Sequence, residues 1–115
     1  MDTESLCLLK DIFKKIYKFE SSLQKKFSLS INEILTLCTL SGKKMSSSEL
    51  AEDIGVSPSR MSRIIKKLED KEFIERSLSK KDKRKMFFNL TLKGEKHLKK
   101  LKKSDISIPD LKGCF

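Results

Sequence analysis

One histidine, no tryptophan and four glycines in 115 residues leave this chain short of the parts from which most active sites are built. His97 lies in a lysine-rich stretch with no nucleophile or acid patterned around it, so it reads as a structural or solvated residue. None of the serines sits in a nucleophile elbow, and no glycine-rich loop is present to cradle a nucleotide. Cys7, Cys38 and Cys114 are odd in number and widely spaced, which argues against a disulfide framework and a zinc site and predicts reduced thiols. Neither an enzyme nor a protein with a metal or organic cofactor is expected. Apolar runs fall far short of the ~20 residues that span a bilayer. The N-terminus also lacks a basic stretch, apolar core and small-residue cleavage site. These absences predict a cytoplasmic protein with no membrane contact.

Positive charge is abundant. Lys and Arg number 26 against 16 Asp and Glu, a net charge of +10 that suits a polyanionic partner. The length allows one domain over residues 1–115, which should bury somewhat over ~60% of its unfolded surface.

From Glu4 to Phe27 the apolar residues Leu6, Leu9, Ile12, Phe13, Ile16, Phe19, Leu23 and Phe27 recur at helical spacing, predicting a long first helix. Two capping boxes follow. Ser30 with Glu33 and Ser46 with Glu49 are flanked by staple pairs, Leu29 with Ile34 and Met45 with Leu50, so helices should begin near Ile31 and Ser47. The second helix, with Ile31, Ile34, Leu35 and Cys38 expected on its inner face, should end at Ser41-Gly42. The third should stop at Gly55. Ser57 can cap a fourth, whose first residue Pro58 has no amide to leave unpaired, running to about Lys71. The period then shortens: Phe73 to Leu78 and Met86 to Leu90 read as a hairpin around the basic loop Ser79 to Lys85. Thr91 caps a last helix through about Lys103, with Leu92, Leu98 and Leu101 expected inward and six lysines elsewhere. Pro109 breaks the remaining segment.

A short helix, a turn at Gly55 and a longer helix make a helix-turn-helix, with Met61, Ile64, Ile65 and Leu68 as its buried face. Charge in the fourth helix runs against local stability. Free amides and the dipole favour acids in the first turn, yet the third helical residue is Arg60 and the sixth is Arg63. The exposed face gathers Ser57, Ser59, Arg60, Ser62, Arg63, Lys66 and Lys67. Short hydrogen bonders mixed with cations suit phosphates and major-groove base edges. The hairpin tip adds Lys80, Lys81, Lys83, Arg84 and Lys85 around one acid, Asp82, a charge density suited to a minor groove or backbone.

The segment from Leu29 to Leu101 resembles the winged-helix regulators of the MarR family. The resemblance is carried by "SSSELAEDIGVSPSRMSRIIKKLEDKEFIER", by the wing "KKDKRKMFFNLT" and by the "LTLKG" entry to the last helix. It implies an α+β winged helix in which the helix from Pro58 is the recognition helix, Arg84 the wing-tip arginine that enters the minor groove, and Asp82 the acid that orients it. Lysines flank this Asp-x-Arg at Lys81, Lys83 and Lys85, where the family more often has arginines. The chain ends soon after Lys103, like the compact staphylococcal Sar regulators, which implies dimerisation through residues 1–27 and 92–115. The peroxide-sensing branch of the family carries a reactive cysteine about where Cys7 stands. The tyrosines that accompany it are absent here, so Cys7 is read as a small structural hydrophobe, with redox sensing as the alternative. Cys38 is expected in the core.

The function expected is sequence-specific binding of double-stranded DNA by a homodimeric transcription regulator, repressing from an inverted repeat. Two rivals stand beside it: a winged helix used as a protein-interaction module, and a nonspecific nucleic-acid-binding protein. No residue pattern identifies a small-molecule effector.

Overall fold

The computed structural model describes residues 1–78, 81 and 84–110. They form five helices and a small antiparallel sheet, in two compact units.

The first unit is helix α1, Thr3–Phe27, with the segment that follows Ser104. Asp2 caps the helix by accepting from the Ser5 amide at 2.8 Å. That bond, made to the charged form, holds the Asp2 carboxyl below its ordinary range. The helix closes at Ser28, in the left-handed region at φ 56°. Lys26 pairs with Asp105, and Lys15 Nζ donates to the Asp110 carbonyl at 2.9 Å. The helical spacing of the apolar residues is as the sequence predicts, but most of that stripe is open: Phe13 is 65% exposed and Leu6 52%, and only Leu23 within the helix is buried.

The second unit, Ile31–Ser104, runs α2 (Ile31–Thr39), β1 (Met45–Ser46), α3 (Ser47–Ile54), α4 (Pro58–Asp70), β2 (Ile74–Leu78), β3 (Met86–Leu90) and α5 (Leu92–Lys103). The strands lie in the order β1-β3-β2, all antiparallel, with Ile74 opposite Leu90 and Leu78 opposite Met86. The fold is the expected α+β winged helix. Leu37, Leu40, Leu50, Met61 and Leu68 are almost fully enclosed, joined by Phe73, Ile74, Phe88, Leu90 and Leu98. Strand β1 is not legible in the sequence, because two residues carry no periodicity; Met45 and Ser46 pair with Phe88 and Phe87.

Several inner-face expectations are corrected. In α2 the buried positions are Glu33, Thr36 and Leu37, while Leu35 and Cys38 are exposed. The helix is apolar on more than one side, so spacing alone chose wrongly. Its polar residues can go inward because they find partners. Thr36 Oγ1 donates to the Asn32 carbonyl at 2.8 Å, and Glu33 accepts from Lys71 Nζ at 3.0 Å. In α5 the buried residues are Gly94 and Leu98, and Leu92 is 76% exposed. Leu92 stands two residues before Gly94, roughly 200° around the helix, so it faces away. Cys7 is exposed, so it does not pack as a small hydrophobe within the chain.

The capping box at α3 is complete. Ser46 Oγ accepts from the Glu49 amide at 3.2 Å, and Glu49 Oε1 accepts from the Ser46 amide at 3.3 Å and hydroxyl at 2.9 Å. These bonds hold the Glu49 carboxyl below its ordinary range. Its contribution is therefore present above the ordinary carboxylate range and is lost as pH falls through the lowered folded value. Ser46→Ala should destabilise by about 1 kcal/mol at neutral pH. The difference from wild type should shrink in acid, where a protonated Glu49 has already weakened the box. Thermal melts at the two pH values check it; equal differences would show that the carboxylate takes no part.

Candidate nucleic-acid interface

Helix α4 forms because its apolar residues repeat at three and four and its start is well capped. Ser57 Oγ accepts from the Arg60 amide at 3.2 Å, and Pro58 occupies the first turn. Met61, Ile64, Ile65 and Leu68 point inward. The same periodicity leaves Ser59, Arg60, Ser62, Arg63, Lys66 and Lys67 exposed, together with Ser57 just ahead of the helix. No acid lies in its first turn. The amino end of the helix thus adds two guanidinium groups to its own positive dipole, which leaves it suited to an anion. Two of the serines already have local roles: Ser57 caps, and Ser62 Oγ donates to the Pro58 carbonyl at 3.1 Å. The guanidinium and ammonium groups, with Ser59, remain the principal reach of this face.

Gly55 sets the angle between α3 and α4. It adopts φ 84°, and its amide bonds the Ala51 carbonyl at 2.9 Å, so the chain turns sharply into Ser57.

Within the hairpin loop, Lys81, Arg84 and Lys85 are exposed. Lys80, Asp82 and Lys83 lie outside the described residues, and with them the Asp82–Arg84 contact that the family resemblance implies. Lys85 lies near enough to α3 to contribute to the depression of the Glu49 carboxyl.

Two residues that the sequence did not single out hold this loop to α4. Arg76 of β2 makes a two-pronged pair with Glu69 of α4, Nε to Oε2 at 2.6 Å and Nη2 to Oε1 at 2.9 Å, and lies 5.8 Å from the Phe88 ring centre. The pair raises the already high basicity of Arg76. Planar two-point pairing restrains orientation as well as distance, so the hairpin cannot swing freely about the helix. The second is Gly94. A methyl group there would lie 2.1 Å from the Phe73 carbonyl oxygen, an atom that also accepts from the Thr91 amide at 3.0 Å. Only spacing in three dimensions reveals either contact; in sequence the signal is a lone arginine and a lone glycine.

His97 stacks on Phe73 at 4.5 Å between ring centres and serves packing. Among the described residues no three His, Cys, Asp or Glu side chains converge as a metal would need, and no helix is long and apolar enough to cross a membrane.

The model of the MarR family matches residues 29–86, half of the chain and the part that holds α2 to β3. A search of curated protein sequences finds no match. Among solved structures, the transcriptional regulator BldR from Sulfolobus solfataricus is 29% identical, with a TM-score of 0.73 over 87% of this chain and 76% of that one. AbsC, a MarR family transcriptional regulator from Streptomyces coelicolor, is 26% identical, with a TM-score of 0.75 over 89% of this chain and 73% of its own. The S. aureus MepR–DNA complex, 19% identical, shares the fold with a TM-score of 0.67 over 83% of this chain and 79% of that one. With the family model over half its length and the five-helix, three-stranded architecture in place, the chain belongs to the MarR family of winged-helix transcription regulators.

Proposed function

We propose that the chain acts in the cytoplasm as a homodimer that binds double-stranded DNA in a sequence-specific manner and represses transcription by occupying an inverted repeat. The observation that carries the reading is the first half of α4: Arg60 and Arg63 exposed in and just beyond its first turn, with no acid in that turn. Helix stability alone favours the opposite charge there, so the arginines are best accounted for by an anion outside the chain. In this reading α4 enters the major groove, where Arg63 and Lys66 meet base edges. Ser57, Ser59, Arg60, Ser62 and Lys67 hold the backbone, and Lys81, Asp82, Lys83 and Arg84 serve the wing. The DNA complex of MepR, which shares the fold, lends support.

The dimer is proposed on α1. A 25-residue helix that buries one residue while exposing Leu6, Leu9, Phe13, Ile16 and Tyr17 presents apolar surface that a partner would cover. Residues 1–27 and 92–115 are its proposed elements. Two recognition helices would then lie about 34 Å apart in successive major grooves.

Selection from a pool of random duplexes tests the function. An inverted repeat should be enriched. Recovery of no preferred sequence would instead mark a nonspecific nucleic-acid binder, and recovery of no duplex would leave a protein-interaction module. For the dimer, light scattering should give about twice the 13.3 kDa of the chain. Phe13→Glu with Ile16→Glu should return the mass to one copy without loss of helix. A wild-type monomer at high micromolar concentration would contradict the arrangement.

A further inference from the structure

The lysines of α5 are not used by α4 or the wing. Lys93, Lys96, Lys99, Lys100, Lys102 and Lys103 are all exposed, and they cover the side of the helix opposite Gly94 and Leu98. Lys96 stands three or four residues from Lys93, Lys99 and Lys100, and Lys103 three or four from Lys99 and Lys100. Like charges at these spacings repel along a helix. The dipole welcomes cations only in the last turn, so it offsets Lys100, Lys102 and Lys103 but not the other three. Glu95 is the only acid within the helix, and among the described residues only Lys93 of the six forms an ion pair, with Glu72 at 3.9 Å. The helix therefore carries a repulsion that the described residues around it leave largely in place.

The chemistry of the face selects its partner. It has no arginine and no exposed aromatic ring, so it lacks the anchors typical of a protein interface and the platforms on which single-stranded bases stack. Leu98 is buried, which leaves too little exposed apolar surface for insertion into a membrane. Compact ammonium groups on flexible stems, free of fixed geometry, suit a row of phosphates. Charge distribution agrees. Residues 31–104 hold 19 of the 26 Lys and Arg but only 10 of the 16 Asp and Glu. We propose that the lysine face of α5 is a second DNA-binding surface, a sequence-independent contact to the phosphate backbone of duplex DNA, separate from α4 and the wing. It rests on the DNA reading given above.

The test is a triple variant, Lys96→Gln, Lys99→Gln and Lys103→Gln, titrated at several salt concentrations with the selected duplex and with a scrambled one. Glutamine keeps helix propensity close to that of lysine, and circular dichroism verifies the fold. Each phosphate that the variant no longer neutralises should reduce the slope of log affinity against log salt by about 0.9, so a fall of about 2 to 3 is expected. Both duplexes should weaken by the same factor, leaving their ratio unchanged. A control with Lys10, Lys14 and Lys25 of α1 changed to Gln, shown to keep the wild-type mass, should leave the slope near wild type. The proposal is overturned by an unchanged slope in the α5 variant while wild type still binds the selected duplex. It is equally overturned if the ratio between duplexes changes, or if the α1 control lowers the slope as much. Wild type that binds no duplex would defeat the DNA reading itself and the α5 contact with it.

Discussion

Gly94→Ala is expected to lower the melting temperature by about 10 °C or more, although alanine is the better helix former by about 1 kcal/mol. The added methyl would meet the Phe73 carbonyl oxygen at 2.1 Å, which is backbone and cannot rotate aside. Either α5 or the start of the hairpin must move, and the Thr91 amide gives up its 3.0 Å bond to the same oxygen when it does. Overpacking of this kind costs about 1 to 3 kcal/mol or more, and the broken hydrogen bond about another 1. The steric penalty therefore outweighs propensity, and the net of roughly 2 to 3 kcal/mol is a large part of the ~5 to 15 available to a domain. Thermal unfolding followed by circular dichroism measures it. A variant that melts within a degree or two of wild type would show that the approach of α5 to Phe73 is looser than described.

The second large effect is on binding. A dimer presenting Arg60, Arg63, Lys66, Lys67, Lys81 and Arg84 twice has charge enough to neutralise roughly 6 to 10 phosphates, releasing condensed counterions. Affinity for the selected duplex should then fall by about 10³ to 10⁵ between 50 and 200 mM salt. Arg84→Ala should weaken selected and scrambled duplexes alike and reduce the salt slope by about one unit, because a wing arginine meets groove shape and phosphate more than base edges. Affinity that barely responds to salt would exclude a phosphate-dominated contact.

What the sequence made legible was local. The start of α4 could be read from Ser57 and Pro58, and its two faces from the spacing of Met61, Ile64, Ile65 and Leu68, because caps and periodicity act within a few residues. The capping box at Ser46 and the turn at Gly55 were readable for the same reason. Contacts made across the chain were not. The burial of Glu33 depends on Lys71, 38 residues away, and without that partner a carboxylate argues for the outside of a helix. Gly94 looked like a poor helix residue until Phe73 was placed against it. Strand β1 exists only because β3 passes beside it. The family resemblance supplied what pattern could not, namely which helix reads DNA and which arginine enters the minor groove; the described residues place Arg63 and Arg84 on the surface, consistent with those roles.

The most direct test of this account measures binding isotherms of wild type and Arg63→Ala on the selected duplex and on its scrambled counterpart. Arg63 is exposed, so its removal should leave circular dichroism unchanged. A bidentate arginine contact to guanine is worth about 1 to 3 kcal/mol of discrimination. Wild type should therefore bind the selected duplex far more tightly, and Arg63→Ala should narrow that gap by roughly 5-fold to 150-fold while keeping most of its affinity for scrambled DNA. Wild type that binds both duplexes equally, or a folded Arg63→Ala protein that discriminates as well as wild type, would contradict the assignment of α4 as the helix that reads sequence.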